Sequence, residues 1–388
     1  MKKRSILSLA LAAALLVLPL AGCTESGSES GGSDGDTIKI GGLAPLTGDL
    51  SQYGVAVNNA VLMAVDDINK NGGVLGKQIE YLPEDEKGDV TEAINAYNKL
   101  VSEGVVAIVG DVTSAPSKAV AQKANDDGMP IITASGTDAE ITLTGEYAYR
   151  ACFIDPYQGM LMATYASKEL GAKTAAILYD SGDSYSTGIA DAFEETAKEL
   201  GMTVTNKEGY AHSSTDFNAQ LTKIKASNPD VLMLPVYYSD VVLILKQAKQ
   251  QGLDCQFLGA DGWDGVVPQL NGDDSINDLL AKSYFCSQYS ASSDDPDLQA
   301  FLTTYKEKYG IDANMFAVLG YDAMHILADA IERAGSTDAE AIIQAMSETN
   351  YSGLTGTTTF DENRNPVREA VITTFEDGAY KVLETYQA

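Results

Sequence analysis

The chain holds few side chains able to drive covalent chemistry, and their spacing argues against a reaction. Its two histidines are His212, in a polar stretch before Phe217, and His325, in an Ala/Leu-rich segment. The first reads as a surface residue and the second as a packing residue, neither as a general base. Gly41-Gly42-Leu43-Ala44-Pro45-Leu46-Thr47-Gly48 lacks dinucleotide-binding spacing, and Gly76-Lys77 has Asn71 where a phosphate loop needs its first glycine. Gly182-Asp183-Ser184-Tyr185 runs into Ser186, not into the glycine of a nucleophile elbow. The aspartates near 271–278 and 294–297 lack the alternation of a calcium loop. Cys152, Cys255 and Cys286 lie too far apart for a zinc motif and read as buried thiols. No catalysis, cofactor or metal is expected.

The 388 residues suffice for about two domains, and 45% apolar residues suffice for sizeable cores. Acids outnumber bases 55 to 26, a formal charge of −29. Such a surface repels phosphate backbones, so nucleic acid is not an expected partner. Lys2-Lys3-Arg4 precedes an apolar run from Ile6 to Leu20, shorter than a spanning helix. Leu20-Ala21-Gly22-Cys23 resembles the lipobox of bacterial lipoproteins. That resemblance implies a signal peptide over 1–22, cleavage before Cys23 and lipidation of that cysteine. Residues 24–36 carry no apolar side chain able to pack, so 23–36 read as the lipidated residue and its flexible tether. The expected location is extracytoplasmic, lipid-anchored to the cell membrane.

From Thr37 onward short β-branched runs alternate with helical stretches. Strands are expected at Thr37–Gly41, Gln78–Leu82, Val105–Val109, Pro130–Thr133, Thr174–Tyr179, Thr203–Lys207, Val231–Leu234, Phe257–Gly259 and Ser283–Cys286. Between them lie helical patterns; Val55–Asn69, apolar at 57, 61, 64, 65 and 68, is the clearest. Another is expected to begin near Ser117. Repeated β-α-β units predict an α/β fold of parallel sheets with helices on both faces. Two rounds are audible, one from Ile38 and one from Thr174, separated by an irregular stretch from Leu143 to Pro156. Thr357–Phe360 and Val371–Phe375 read as two extended runs joined by a turn. Facing parallel lobes would form a cleft beyond the carboxyl ends of their strands.

Several segments together resemble one family. They are Ile38-Lys39-Ile40-Gly41 with Pro45-Leu46-Thr47-Gly48 and Tyr53-Gly54, Asp66-Asp67-Ile68-Asn69 with Gly72-Gly73-Val74-Leu75-Gly76-Lys77, and Gly110-Asp111-Val112-Thr113-Ser114. Pro130-Ile131-Ile132-Thr133-Ala134-Ser135-Gly136-Thr137, Asp155 with Gln158-Gly159, Thr215-Asp216-Phe217 and Phe257-Leu258-Gly259-Ala260-Asp261-Gly262 complete the set. In order and spacing the chain resembles leucine/isoleucine/valine-binding substrate-binding proteins of ABC importers, the type I periplasmic-binding-protein fold. The resemblance implies two doubly wound parallel-sheet lobes joined by a three-segment hinge. Carried over, lobe 1 spans 37–154 and 289–358, and lobe 2 spans 155–288 and 359–388. The implied function is capture of a branched-chain or similar amino acid for delivery to membrane permease subunits, with a monomer expected. The alternatives are the same clamp on an aromatic carboxylate, amide or urea-like solute, or a ligand sensor without transport.

A free amino acid brings a carboxylate and an ammonium, and a closed site must satisfy both. Ser114 and Thr137 follow lobe 1 strands and match the family's hydroxyls for the carboxylate and amino groups; Ser135 and Gly136 match its backbone contacts. Asp261 follows Phe257–Gly259 and matches the acidic partner of the ammonium, often Glu in the family. Tyr53, Tyr185, Tyr237 and Trp263 are the expected ligand walls, with Val112, Thr113 and Phe316 as candidates for the side-chain pocket. Thr113 stands where a family disulfide cysteine would be. Asp111 is a departure, expected either to face solvent or to recognise a basic or hydroxylated side chain.

Overall fold

A computed structural model describes residues 37–386. The calls on 1–22, Cys23 and the 23–36 tether lie outside the described residues. The first sheet holds β1 (Thr37–Ala44), β2 (Gln78–Asp85), β3 (Ala107–Val109), β4 (Ile131–Thr133) and β5 (Ala148–Arg150). They run parallel in the order β2-β1-β3-β4-β5, linked by α1 (Ser51–Lys70), α2 (Val90–Ser102) and α3 (Ser114–Asp127). The order reverses between β1 and β3, and such a switch point opens a crevice at the strands' carboxyl ends. Local chemistry starts the helices where they are needed. Asp89 caps α2 by accepting from the Thr91 and Glu92 N–H groups.

The second lobe repeats the plan. It holds α4 (Asp155–Lys168), β6 (Thr174–Asp180), α5 (Ser184–Glu199), β7 (Thr203–Tyr210), α6 (Asn218–Ser227), β8 (Val231–Met233), α7 (Tyr238–Gln251) and β9 (Gln256–Gly259). The short α8 (Val266–Leu270) and α9 (Asn277–Leu280) precede β10 (Ser283–Ser287). The chain then returns to the first lobe with α10 (Pro296–Tyr309), α11 (Met315–Ala334) and α12 (Ala339–Ser347). The two-stranded pair β11 (Tyr351–Gly353) and β12 (Gly356–Thr358) follows, then β13 (Ala370–Glu376) and β14 (Ala379–Tyr386). The second sheet runs β14-β13-β10-β9-β8-β6-β7.

Three expectations change. The second sheet is not wholly parallel, because β13 and β14 close its edge antiparallel to β10 and to each other. The runs around Thr357 and Val371 fall in different sheets, so no hairpin joins them. The stretch 143–156, read as irregular, contains β5 and the start of α4; β5 is only three residues long, too short for a period to show.

The core of the first lobe is α1 against α11. Tyr53, Val57, Ala60, Val61 and Ala64 of α1 are buried, as are Phe316, Leu319, Ala323 and Leu327 of α11. Asp322, buried on α11, accepts hydrogen bonds from the Leu354 and Thr355 N–H groups and so pins the β11–β12 turn.

Three crossings connect the lobes, after β5, after β10 and after β12, and side chains knit them together. Gln288 of the second crossing accepts from Phe153 N–H of the first at 2.8 Å. Arg368 of the third donates from Nη2 to Ala151 O at 3.0 Å and to Thr358 Oγ1 at 2.8 Å, and from Nη1 to Thr355 O at 2.9 Å. This guanidinium is buried, so Arg368→Leu leaves several acceptors without a donor. The expected cost is about 3 kcal/mol or more in urea-unfolding stability, and an unchanged midpoint contradicts the assignment.

Candidate functional site

The carboxyl ends of the two sheets face one small cavity. Lobe 1 contributes Val112, Thr113 and Ser114 from the β3–α3 junction, Ser135 and Thr137 from beyond β4, and Phe316 from the first turn of α11. Lobe 2 contributes Tyr185, Tyr237, Asp261 and Gly262. Its free volume is about 210 Å³, part of it open to solvent. Asp261 is the only charged group among the lining residues.

One wall is a field of hydroxyls at a helix start. The chain enters α3 through Thr113, and Ser114 is the first helical residue, three earlier than the sequence pattern indicated. The free N–H groups of a fourteen-residue helix and its dipole favour negative charge at this end. Ser114 Oγ accepts from the N–H groups of Thr137 (3.3 Å) and Asp138 (3.1 Å), and lies 3.4 Å from Thr137 Oγ1. Arg150 on β5 fastens the loop that carries Thr137. It donates to Gly136 O and Asp138 O at 2.8 Å each and to Thr142 Oγ1 at 3.3 Å. No carboxylate hydrogen-bonds it, so its charge is spent on holding backbone carbonyls.

The opposite wall carries the carboxylate. Asp261 opens a short 3-10 turn directly after β9. Gln158 on α4 accepts from Asp261 N–H at 2.9 Å, and Tyr185 donates its hydroxyl to Asp261 Oδ1 at 2.8 Å. Gly262 N–H in turn donates to that hydroxyl at 2.9 Å. A side chain at 262 would meet the Tyr185 hydroxyl at 2.7 Å, so glycine is required for this approach. Burial pushes the Asp261 carboxyl up to about 7, against the lowering effect of the Tyr185, Gln158 and Gly262 hydrogen bonds.

Aromatic rings close the space between these walls. Tyr185 and Tyr237 stack with centroids 4.6 Å apart at 10°. Tyr53 stacks behind Phe316 at 4.1 Å and donates its hydroxyl across the lobe boundary to Gly262 O at 2.5 Å. Gln52 Nε2 donates to Gln269 Oε1 at 3.0 Å, a second bond between the lobes.

Comparison with known proteins fits this geometry. The family pattern described as periplasmic binding protein matches residues 37–379. The leucine-, isoleucine-, valine-, threonine- and alanine-binding protein of Pseudomonas aeruginosa is 33% identical over 329 residues, 84% of this chain and 86% of the relative. The chain belongs to the leucine/isoleucine/valine-binding-protein-like branch of the type I periplasmic binding proteins. A crystal structure of a leucine binding protein from Thermotoga maritima is similar at 33% identity and TM-score 0.83, over 90% of this chain and 98% of that one. A branched-chain amino acid transporter substrate binding protein from Streptococcus pneumoniae, in complex with isoleucine, is similar at 32% identity and TM-score 0.81, over 89% and 99%.

In this periplasmic binding protein the cavity brings together nine of the twelve expected ligand-binding residues; Gly136, Trp263 and Tyr53 do not line it. Gly136 N–H is spent on Thr133 Oγ1 at 2.8 Å, and its carbonyl on Arg150 and Cys152. Trp263 is a core residue: it is fully buried, donates its indole N–H to Leu234 O at 2.9 Å and packs near Phe285 and Phe375. Tyr53 backs the wall from behind Phe316. Asp111 neither faces solvent nor lines the cavity. It is buried beside Glu86; burial raises both carboxyls, and the Asp111 charge raises Glu86 further. Cys152, Cys255 and Cys286 are buried free thiols. Gln158, Arg150 and Gly262 were not singled out as site residues; Gln158 and Gly262 stand in the quoted family segments, while Arg150 left no signal. Among the described residues, no group of His, Cys, Asp and Glu could hold a metal, and no helix is long and apolar enough to cross a membrane.

Proposed function

We propose that this protein captures an amino acid by closing its two lobes over it and delivers it to an ABC importer. The supporting observation is a single cavity with hydroxyls and a helix N-terminus on one wall and one carboxylate on the other. That polarity matches a zwitterion: the ligand carboxylate meets Ser114, Thr137 and α3, and its ammonium meets Asp261. Ligand binds lobe 1 first, and closure follows because only the closed state offers both poles a partner. The name of the Pseudomonas relative favours a branched-chain or small aliphatic ligand. The lipobox-like segment supports a chain anchored through Cys23 outside the cytoplasm. The arrangement lacks a nucleophile paired with a base, so the ligand leaves unaltered.

Calorimetric titration of the purified full chain in mild detergent, against the twenty amino acids, tests this reading. Micromolar or tighter binding of at least one, with a raised melting midpoint, is expected. Failure of all twenty overturns it. The raised pKa of Asp261 favours a second reading, an amide or urea-like solute whose carbonyl accepts a hydrogen bond from a neutral Asp261.

A further inference from the structure

We propose, resting on the amino-acid reading above, that the hydroxyl of Thr113 recognises a polar side chain on the ligand. The site then prefers threonine and serine over valine and alanine.

Thr113 lines the cavity beside Val112 and Phe316 and is 5% exposed. Its Oγ1 is buried and makes no hydrogen bond. The residue also occupies the N-cap position of α3, where a threonine hydroxyl ordinarily accepts from the helix's first N–H groups. Here it makes no such bond. Three of the other lining hydroxyls are engaged. Ser114 Oγ accepts from Thr137 and Asp138, Ser135 donates to Val112 O at 2.8 Å, and Tyr185 donates to Asp261. Thr113 therefore carries polar capacity that neither the helix nor its neighbours use. A buried hydroxyl without a partner is unfavourable, and a ligand group that completes it gains the difference.

Threonine and valine have nearly the same shape, so the hydroxyl alone distinguishes them. A site with an unsatisfied polar group discriminates against the analogue that cannot reach it.

The experiment is calorimetric titration of the full chain with threonine, valine, serine and alanine, repeated on Thr113→Val and Thr113→Ser. The unmodified chain is expected to bind threonine about tenfold tighter than valine, and serine tighter than alanine. Thr113→Val is expected to remove that ratio, while Thr113→Ser keeps it; melting midpoints of both variants check their folding. Valine binding as tight as threonine in the unmodified chain overturns the inference and leaves the amino-acid reading standing. So does a tenfold preference that survives Thr113→Val. Absence of binding by any amino acid overturns both. The comparison on the unmodified chain decides the matter even where a variant fails to fold.

Discussion

Asp261→Ala is expected to weaken binding of an amino-acid ligand by at least about 100-fold in calorimetric titration. The reason is that this is the one carboxylate among the lining residues, so an ammonium brought into the cavity of the variant is desolvated without a lining counter-charge. Truncating one partner of a buried, hydrogen-bonded charge pair costs about 2–5 kcal/mol, much of it the penalty on the stranded charge. Removing the charge acts oppositely on the ligand-free fold. A carboxyl held up near 7 by burial is unfavourable when ionised, so Asp261→Asn is expected to raise the melting midpoint at pH 8 while lowering affinity. Affinity unchanged in both variants means that the ligand carries no ammonium, and the amino-acid reading falls.

Ligand affinity is expected to rise with pH, by up to about tenfold per unit, between about pH 4 and pH 7, and to level off above. The sign follows from Asp261. In the closed cavity without ligand its carboxyl holds a proton below about 7. An ammonium requires the ionised form and draws its pKa down. Binding below pH 7 therefore releases a proton, and mass action favours the complex as pH rises. Titration at pH 6 in two buffers of different ionisation enthalpy measures the release directly. Proton uptake, or affinity that falls with rising pH, points instead to a ligand that accepts from a neutral Asp261, the amide or urea-like reading.

The legible parts of this molecule were those set by local pattern. Alternating β-branched runs and helical spacing placed α1, and the nine expected strands lay within a few residues of their positions. Ser114, Thr137 and Asp261 were recognisable through the family resemblance, with each following a strand at its carboxyl end, where a parallel sheet exposes its crevice. What pattern could not convey was direction. Trp263 sits two residues beyond Asp261, yet its ring turns back under the sheet to Phe285 and Phe375. Gly136 has its N–H consumed by Thr133, a contact three residues away that composition does not reveal. Arg150 reaches the loop from a three-residue strand too short to register, and Asp111 finds Glu86 from a distant strand end.

The pairing of α1 with α11 reaches beyond ligand capture. The first lobe's central helix ends at Lys70, and the helix that covers its apolar face begins only at Met315. A nascent chain emerging from the ribosome therefore exposes Val57, Ala60, Val61 and Ala64 until more than three-quarters of it has been made. Such a long sequence separation delays closure of the core and keeps the polypeptide threadable in the meantime. For a periplasmic binding protein, which crosses a membrane to reach its place of work, late folding leaves the translocation machinery an unfolded substrate.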